Sequence, residues 1–203
     1  MLRKWKNVRF SSSPPIAVKW CVLQRFASGV NWIETGTLHG DTALHLNKLG
    51  NNVVTIEASK FFFGKAEKRF LNNPQITPVY GDSSDVLARE ILGLLEGGVN
   101  EISFFLDGHY SGGDTFQSTK DTPIVKELEI IESFLERIET ISVFIDDIRL
   151  FSKFNTTHGD YPELSYLTQW AQKNDLEWII ELDIFIATNN IPRINAYVNG
   201  AKE

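Results

Sequence analysis

Polar and flexible residues follow five apolar segments of this sequence, each at the point where a predicted strand ends. They are Glu34-Thr35-Gly36, Glu57, Gly81-Asp82, Asp107 and Asp146-Asp147. Ligands of parallel α/β sheets bind at the carboxyl ends of the strands. Packing alone would not require acidic residues at these ends, so we expect a ligand site along this edge of the sheet.

The first strand end continues into a loop bracketed by glycines, Glu34-Thr35-Gly36-Thr37-Leu38-His39-Gly40, and a helix is predicted from Asp41-Thr42. Glycine permits positive φ and close approach of a ligand, and the free N–H groups of a helix start favour an anion. Leu38 stands where the dinucleotide pattern G-x-G-x-x-G has its second glycine, and no Gly-Lys-Ser/Thr of a P-loop follows. Alone, the spacing Gly36-x-x-x-Gly40 fits a plain tight turn equally well. The other strand ends favour a nucleotide-cofactor site.

Two further strand ends carry groups that suit a nucleoside. Glu57 lies roughly 20 residues after the loop begins, where a carboxylate accepts both hydrogen bonds of a ribose diol in nucleotide-binding folds. The alternative for Glu57 is a solvent-exposed residue at a strand end. Asp82-Ser83 follows the third strand and can either bond an adenine amino group or cap the next helix, and the two roles are compatible.

In this order the three segments resemble class I S-adenosylmethionine-dependent methyltransferases, over about residues 30–190. Segment 33–42 is similar to their first motif, 54–57 to their acidic ribose loop and 80–83 to their adenine loop. The resemblance implies S-adenosyl-L-methionine as the cofactor, with its methionine end near Glu34 and Gly36. The cofactor-binding residues predicted in this way are Glu34, Thr35, Gly36, Thr37, Gly40, Thr42, Glu57, Asp82, Ser83 and Asp107.

A cluster of carboxylates is predicted beside this site. Asp107 and Asp146-Asp147 end two strands that should be near neighbours. Buried carboxylates are costly unless a divalent cation, a basic substrate or shared protons offset their charge. Oxygen-rich clusters suit Mg²⁺, Ca²⁺ or Mn²⁺. Alternatively, Asp107 and Asp146 contact only cofactor or substrate, while Asp147 pairs with Arg149 or caps a turn.

The same positions resemble the metal-dependent sugar O-methyltransferases of macrolide biosynthesis, in which acids after the fourth and fifth strands hold a cation that binds substrate hydroxyls. The resemblance implies Asp107, Asp146 and Asp147 as metal ligands. That group has Asp-Gly-Asp where this chain has Asp107-Gly108-His109, so His109 becomes a candidate ligand or general base. We therefore predict Asp107 and His109 as the catalytic residues.

Methyl transfer to a hydroxyl of a small hydroxylated metabolite, such as a sugar, is the predicted function. The sulfonium of the cofactor makes the methyl group electrophilic, so the protein mainly aligns the acceptor. A cation would lower the pKa of the hydroxyl, and His109 would take its proton. One rival is a metal-dependent glycosyltransferase, suggested by Ile145-Asp146-Asp147, which leaves Glu34-x-Gly36 unexplained. The other is a non-catalytic S-adenosylmethionine-binding module, in which the acidic cluster would have no use.

Composition is typical of one cytoplasmic domain. The chain has 203 residues, is 42% hydrophobic and contains a single cysteine, so no internal disulfide is expected. A net charge of −6 argues against a nucleic-acid partner, and no run of apolar residues is long enough to span a membrane. Residues 1–33 contain six basic residues and no acid. We expect residues 1–30 to form a basic helical segment that caps a methyltransferase domain of residues 31–203, and an oligomer is compatible with this arrangement.

Apolar runs alternate with helical patterns, which predicts parallel βαβ units. The predicted strands are 31–34, 53–56, 76–80, 102–106, 141–145 and two segments within 176–186 that turn at Leu182-Asp183. Helices are predicted near 14–28, 41–49, 60–70, 86–95, 124–138 and 162–173, and Pro78 favours an edge position for the third strand. The expected fold is α/β: a Rossmann-like, doubly wound, mostly parallel seven-stranded sheet with helices on both faces and an antiparallel C-terminal strand.

Overall fold

The computed structural model describes residues 2–7, 13–50, 52–107, 122–155 and 160–200. The strands are β1 (Asn31–Thr35), β2 (Asn52–Glu57), β3 (Ile76–Tyr80), β4 (Glu101–Leu106), β5 (Thr140–Ile145), β6 (Glu177–Glu181) and β7 (Ile184–Thr188). The helices are α1 (Leu2–Asn7), α2 (Ile16–Phe26), α3 (Asp41–Leu49), α4 (Lys60–Phe70), α5 (Ser83–Glu96), α6 (Ile124–Glu132), α7 (Leu164–Lys173) and α8 (Ile191–Val198). Short 3₁₀ turns lie at Leu135–Arg137 and Ile148–Leu150.

The strands form one seven-stranded sheet in the order β3-β2-β1-β4-β5-β7-β6. Only β7 is antiparallel to its neighbours β5 and β6, and the remaining pairs are parallel. This confirms the predicted fold class, including the edge position of β3 with its Pro78. The chain order reverses between β1 and β4, which is where open α/β sheets form a ligand crevice. The ends of β1, β4 and β5 are adjacent there, because the Asp107 amide donates to the Thr35 carbonyl and the Asp146 amide donates to the Leu106 carbonyl, both at 3.1 Å.

Each face of the sheet buries its own apolar layer. Consecutive residues of a strand point to opposite faces, so Ile33 and Phe104 pack against the side of α5, α6 and α7, while Trp32 and Phe105 pack against the side of α2, α3 and α8. Helix α2 contributes Val22, Leu23 and Phe26 to the second layer. Burial of such a side chain stabilises the fold by about 1.5–3 kcal/mol. Helix α2 is therefore held against the sheet by its apolar face.

Two predicted helices are shorter than their apolar patterns suggest. The segment predicted near 14–28 is helical only from Ile16 to Phe26, after Pro15. The pattern over 124–138 divides into α6 and a 3₁₀ turn, because the Ser133 hydroxyl donates to the Ile130 carbonyl at 2.6 Å and competes with the helical ladder. The apolar period nevertheless continues to Ile138, which is buried in the core. None of the helices in the described parts of the chain has the length and apolar character of a membrane span.

Candidate functional site

The loop after β1 has the backbone that its glycines predict. Gly36 and Gly40 have φ values of 95° and 77°, and Leu38 between them also has a positive φ, of 47°. The Gly36 amide donates to the Ile56 carbonyl of β2 at 2.9 Å, which holds the loop against the neighbouring strand. A Cβ atom on Gly40 would lie 2.4 Å from Cζ of Phe70. Position 40 therefore requires a glycine, because its φ is positive and because Phe70 of α4 packs closely against it.

A buried hydrogen-bonded chain links this loop to β2. The Thr55 hydroxyl donates to the Glu34 carboxylate at 2.5 Å, and the Thr37 hydroxyl lies 2.7 Å from that of Thr55. Glu34 is only 1% exposed. Burial raises the pKa of Glu34 to about 8; the hydrogen bond from Thr55 opposes this shift, and the charges of Asp107 and Glu57 add to it. A positively charged group bound at the loop would favour the ionised form of Glu34.

Glu57 lies at the end of β2 and already stabilises the loop. One carboxylate oxygen accepts the Leu38 amide and the other accepts the Ser59 amide, each at 2.8 Å. The side chain is buried, so the alternative of a solvent-exposed glutamate is wrong. Each carboxylate oxygen can accept a second hydrogen bond. A contact between Glu57 and a ribose diol stays a prediction that this geometry permits.

The loop after β3 contains the predicted cap. The Asp82 carboxylate accepts the Ser84 amide at 2.9 Å and the Ser84 hydroxyl at 2.8 Å, so Asp82 caps the N-terminus of α5. Ser83 is buried beside it. The capping role is confirmed, and the adenine contact of Asp82 and Ser83 stays a prediction. Thr42, predicted in the cofactor set, accepts the indole N–H of Trp20 from α2 at 3.4 Å.

Lys19 of helix α2 lies inside the acidic cluster. Its ammonium contacts both carboxylate oxygens of Asp146, at 2.5 and 2.6 Å, and one oxygen of Asp147, at 3.2 Å. Arg149 pairs with the same oxygen of Asp147 at 2.5 Å and also with Asp183. The prediction that Asp147 pairs with Arg149 is thus confirmed. Two basic side chains therefore provide counter-charge to these carboxylates.

Lys19 and Asp183 are the residues of this cluster that the sequence did not indicate. One carboxylate oxygen from each of Asp146, Asp147 and Asp183 lies within 4.8 Å of the other two. Asp183 lies there because β7 runs antiparallel beside β5, which places the turn between β6 and β7 at the same edge of the sheet. The role of Asp107 as a metal ligand stays a prediction. The basic composition of residues 1–33 was the only sign of Lys19, and it did not distinguish one lysine from the others.

The charged groups of the cluster affect one another's pKa values. Burial lowers the pKa of Lys19, but the charges of Asp146, Asp147 and Asp107 outweigh it, so the pKa lies above its ordinary value. Burial and the charges of Asp107 and Asp147 raise the pKa of Asp146 to about 7, although Lys19 opposes this shift. We take Lys19 as cationic, because these carboxylates keep its pKa above the ordinary value.

The donor set and the space at the cluster lead to different conclusions about a metal. Carboxylate oxygens are suitable ligands for Mg²⁺ or Ca²⁺, at about 2.0–2.6 Å from the ion. However, an ion bound between Asp146 and Asp147 would have to occupy the position of the Lys19 ammonium. The residues present therefore do not fit a divalent cation while Lys19 is in place. Asp107 acts on both Lys19 and Asp146 through its charge.

A small pocket lies beside the cluster, between the ends of β4 and β5 and the start of α6. Its polar lining includes Asp107, Asp146, Glu127 and Tyr161. Glu127 is 1% exposed, and its Oε1 has no hydrogen-bond partner in the described part of the chain. Burial raises the pKa of Glu127 to about 7, and hydroxyl groups of Ser83 and Thr35 oppose the shift. Glu127 was missed by sequence reasoning because it occupies an ordinary position in an amphipathic helix.

The predicted residues differ in how closely the structure brings them together. Glu34, Thr37 and Glu57 meet at the loop, and Asp107 and Asp146 line the pocket. His109, predicted as a catalytic base, lies outside the described residues, as does Gly108. The described site thus combines a glycine loop, a buried acid behind it and an acid-lined pocket at the adjacent strand ends.

No protein-family model matches this sequence, and no curated protein matches it at a significant level. Solved structures with a similar fold include O-methyltransferases. One, from Streptomyces achromogenes, is involved in tomaymycin synthesis and is in complex with SAM; it is 15% identical with a TM-score of 0.54, over 88% of this chain and 80% of that chain. Another, from Bacillus cereus in complex with SAH, is 15% identical with a TM-score of 0.54, over 92% of this chain and 87% of that chain. At this identity the similarity shows that the chain has the fold of these methyltransferases.

Proposed function

We propose that this protein is an S-adenosylmethionine-dependent O-methyltransferase of a small hydroxylated metabolite. The observation that carries the proposal is the loop at the reversal point between β1 and β4, where Gly36 and Gly40 have positive φ and Glu34 is buried behind them. The O-methyltransferase from Bacillus cereus has SAH bound and the one from Streptomyces achromogenes has SAM bound on a similar fold. The positive charge of the sulfonium complements the buried acids at this edge.

The pocket beside the acidic cluster is the proposed acceptor site. The oxygens of carboxyl groups accept hydrogen bonds, so a wall containing Asp107, Asp146 and Glu127 suits an acceptor rich in hydroxyl donors. The enzyme would hold one hydroxyl in line with the methyl group, which is the main requirement of this reaction. A net charge of −6 favours a small molecule over a nucleic acid as the partner. His109 as the base, a cytoplasmic location and an oligomeric assembly belong to the same proposal.

Metal assistance is a separate part of the prediction. It would require an ion to displace Lys19 from between Asp146 and Asp147. Proton removal from the acceptor therefore has to be assigned to protein groups of the pocket as long as Lys19 remains in place. Asp107 and Asp146 are the described groups on the pocket wall at the strand ends that could hold that proton.

Cofactor binding tests the proposal directly. Isothermal titration with S-adenosylmethionine and S-adenosylhomocysteine should show binding of both, and Glu57→Ala should weaken both, since the carboxylate is assigned to the ribose. Glu57→Gln is the matched variant, because it keeps one acceptor oxygen for the loop amides. Folding of each variant is checked by circular dichroism. Binding of a uridine diphosphate sugar, with no response to either methionine nucleotide at millimolar concentration, would instead support the glycosyltransferase.

Turnover distinguishes an enzyme from a binding module. Transfer of a labelled methyl group from S-adenosylmethionine should be detected with at least one member of a panel of sugars and other polyhydroxylated metabolites. Loss of transfer in Asp146→Asn, with cofactor affinity unchanged, would place the acceptor at the pocket. Cofactor binding without transfer to any hydroxyl, amine or thiol acceptor would favour the non-catalytic module.

A further inference from the structure

Lys19 has an environment that is unusual for a lysine. It is 6% exposed, and its ammonium lies within hydrogen-bond distance of three carboxylate oxygens on two residues, Asp146 and Asp147. Lysine side chains are almost never fully buried unless they are paired. The placement also depends on a rigid element, since Leu23 and Phe26 of the same helix are buried in the core.

The contacts of Lys19 are those of a bound cation. Two oxygens come from one carboxylate in a bidentate manner, and a third comes from the next residue. Asp147 has the left-handed conformation with φ of 57°, and its amide donates to Asp146 at 2.7 Å. This local backbone arrangement turns both side chains toward one point. The point is occupied by an ammonium that belongs to the chain itself.

We propose that the Lys19 ammonium is the resident cation of the acidic cluster, in the position that a divalent ion would otherwise take. It balances Asp146 and Asp147, and it holds the Asp146 carboxylate beside the pocket. The role of Asp146 toward an acceptor rests on the proposed function, whereas the exclusion of a metal by Lys19 does not. Lys19 is thus a positioning residue and not a base, because its ammonium already donates to both carboxylates.

Replacement of Lys19 tests whether it occupies a latent metal site. Lys19→Met removes the charge and keeps a side chain of similar length, so the vacated space should bind Mn²⁺. We expect Mn²⁺ to raise the melting temperature of Lys19→Met and to give a signal of bound Mn²⁺ in electron paramagnetic resonance. Natural protein should show neither effect with Mn²⁺, and a chelator should not change its melting temperature. Lys19→Arg is the matched control that keeps a cation, and it should not bind Mn²⁺. The double variant Lys19→Met/Asp146→Asn should lose the gained binding.

Each result of these measurements either supports or overturns the proposal. Equal Mn²⁺ affinity of natural protein and Lys19→Met would overturn the proposal, as would a folded Lys19→Met that gains no Mn²⁺ binding. If Lys19→Met does not fold alone, the double variant decides, because removal of the unpaired acid should restore folding. A double variant as unstable as the single one would show that Lys19 matters only for packing. None of these measurements needs the cofactor, so their result does not depend on titrations with S-adenosylmethionine.

Discussion

Glu34 is a residue whose charge is restricted by its surroundings. Its pKa is about 8 because the carboxyl group is buried, compared with about 4.5 in an unfolded chain. Between these values the unfolded chain has released the proton and the native state still holds it. The native state therefore loses stability as the pH rises from about 4.5 to about 8. Below about pH 4.5 both states hold the proton, and Glu34 does not change the free energy of unfolding.

Glu34→Gln should remove this pH dependence in the cofactor-free protein. A neutral amide pays no cost of ionisation, so the variant should become more stable relative to natural protein as the pH rises, by on the order of 2–4 kcal/mol above pH 8. Urea unfolding at a series of pH values measures the difference. Glu67→Gln on the exposed side of α4 is the matched control and should follow natural protein throughout. A constant difference for Glu34→Gln at all pH values would contradict the raised pKa.

Gly40 and Gly64 differ in whether an added side chain would fit. Gly40→Ala should destabilise the protein by about 1–3 kcal/mol, because φ is +77° and the new Cβ would meet the Phe70 ring. Gly64→Ala in α4 should stabilise it by about 0.5–1 kcal/mol, since no atom outside its chain neighbours and the adjacent helix backbone lies within 4 Å of the added Cβ, and alanine favours a helix. Chemical denaturation compares the two variants. Equal effects would mean that the loop does not need its left-handed residue.

Helix α2 has two roles, because one face packs against the sheet and its Lys19 reaches the acidic cluster. Leu23→Ala should lower the free energy of unfolding by about 2–4 kcal/mol, as expected for a fully buried leucine. Gln24→Ala, on the exposed side of the same helix, should change it by less than about 0.5 kcal/mol. Denaturant unfolding provides both values. A similar loss for the two variants would show that α2 does not pack as described.

The elements also show what local sequence can and cannot predict. Strands β1 to β5 were predicted from their buried apolar runs, and the turn at Leu182-Asp183 from its position between two such segments. The contacts between those elements join residues that lie far apart in the chain. Lys19 meets Asp146 across 127 positions, and Asp183 meets Arg149 only because β7 reverses beside β5. No periodicity within one segment contains that information, so Asp146, Asp147 and Arg149 were predicted at this site but Lys19 and Asp183 were not.

The carboxyl edge of the sheet concentrates negative charge at and beside the proposed cofactor loop. Glu34, Glu127 and Asp146 are buried there, and burial raises the pKa of each to between about 7 and 8. Lys19 and Arg149 balance the side near β5. The side near β1 has Glu34 without a basic partner among its described hydrogen bonds and ion pairs. A cofactor with a sulfonium would supply positive charge on that side.

This distribution predicts a pH-dependent preference between the two forms of the cofactor. S-adenosylmethionine has a sulfonium and S-adenosylhomocysteine has a neutral thioether, while their other groups are the same. Ionisation of Glu34 and Glu127 between about pH 6 and about pH 9 should therefore strengthen binding of the sulfonium form only. We expect the ratio of the Kd of S-adenosylhomocysteine to that of S-adenosylmethionine to rise several-fold over this range, as measured by isothermal titration. The ratio cancels the titration of groups that the two ligands share. Glu34→Gln should flatten the rise, and Glu67→Gln should not. A ratio that stays constant with pH in natural protein would show that the buried acids do not face the sulfonium.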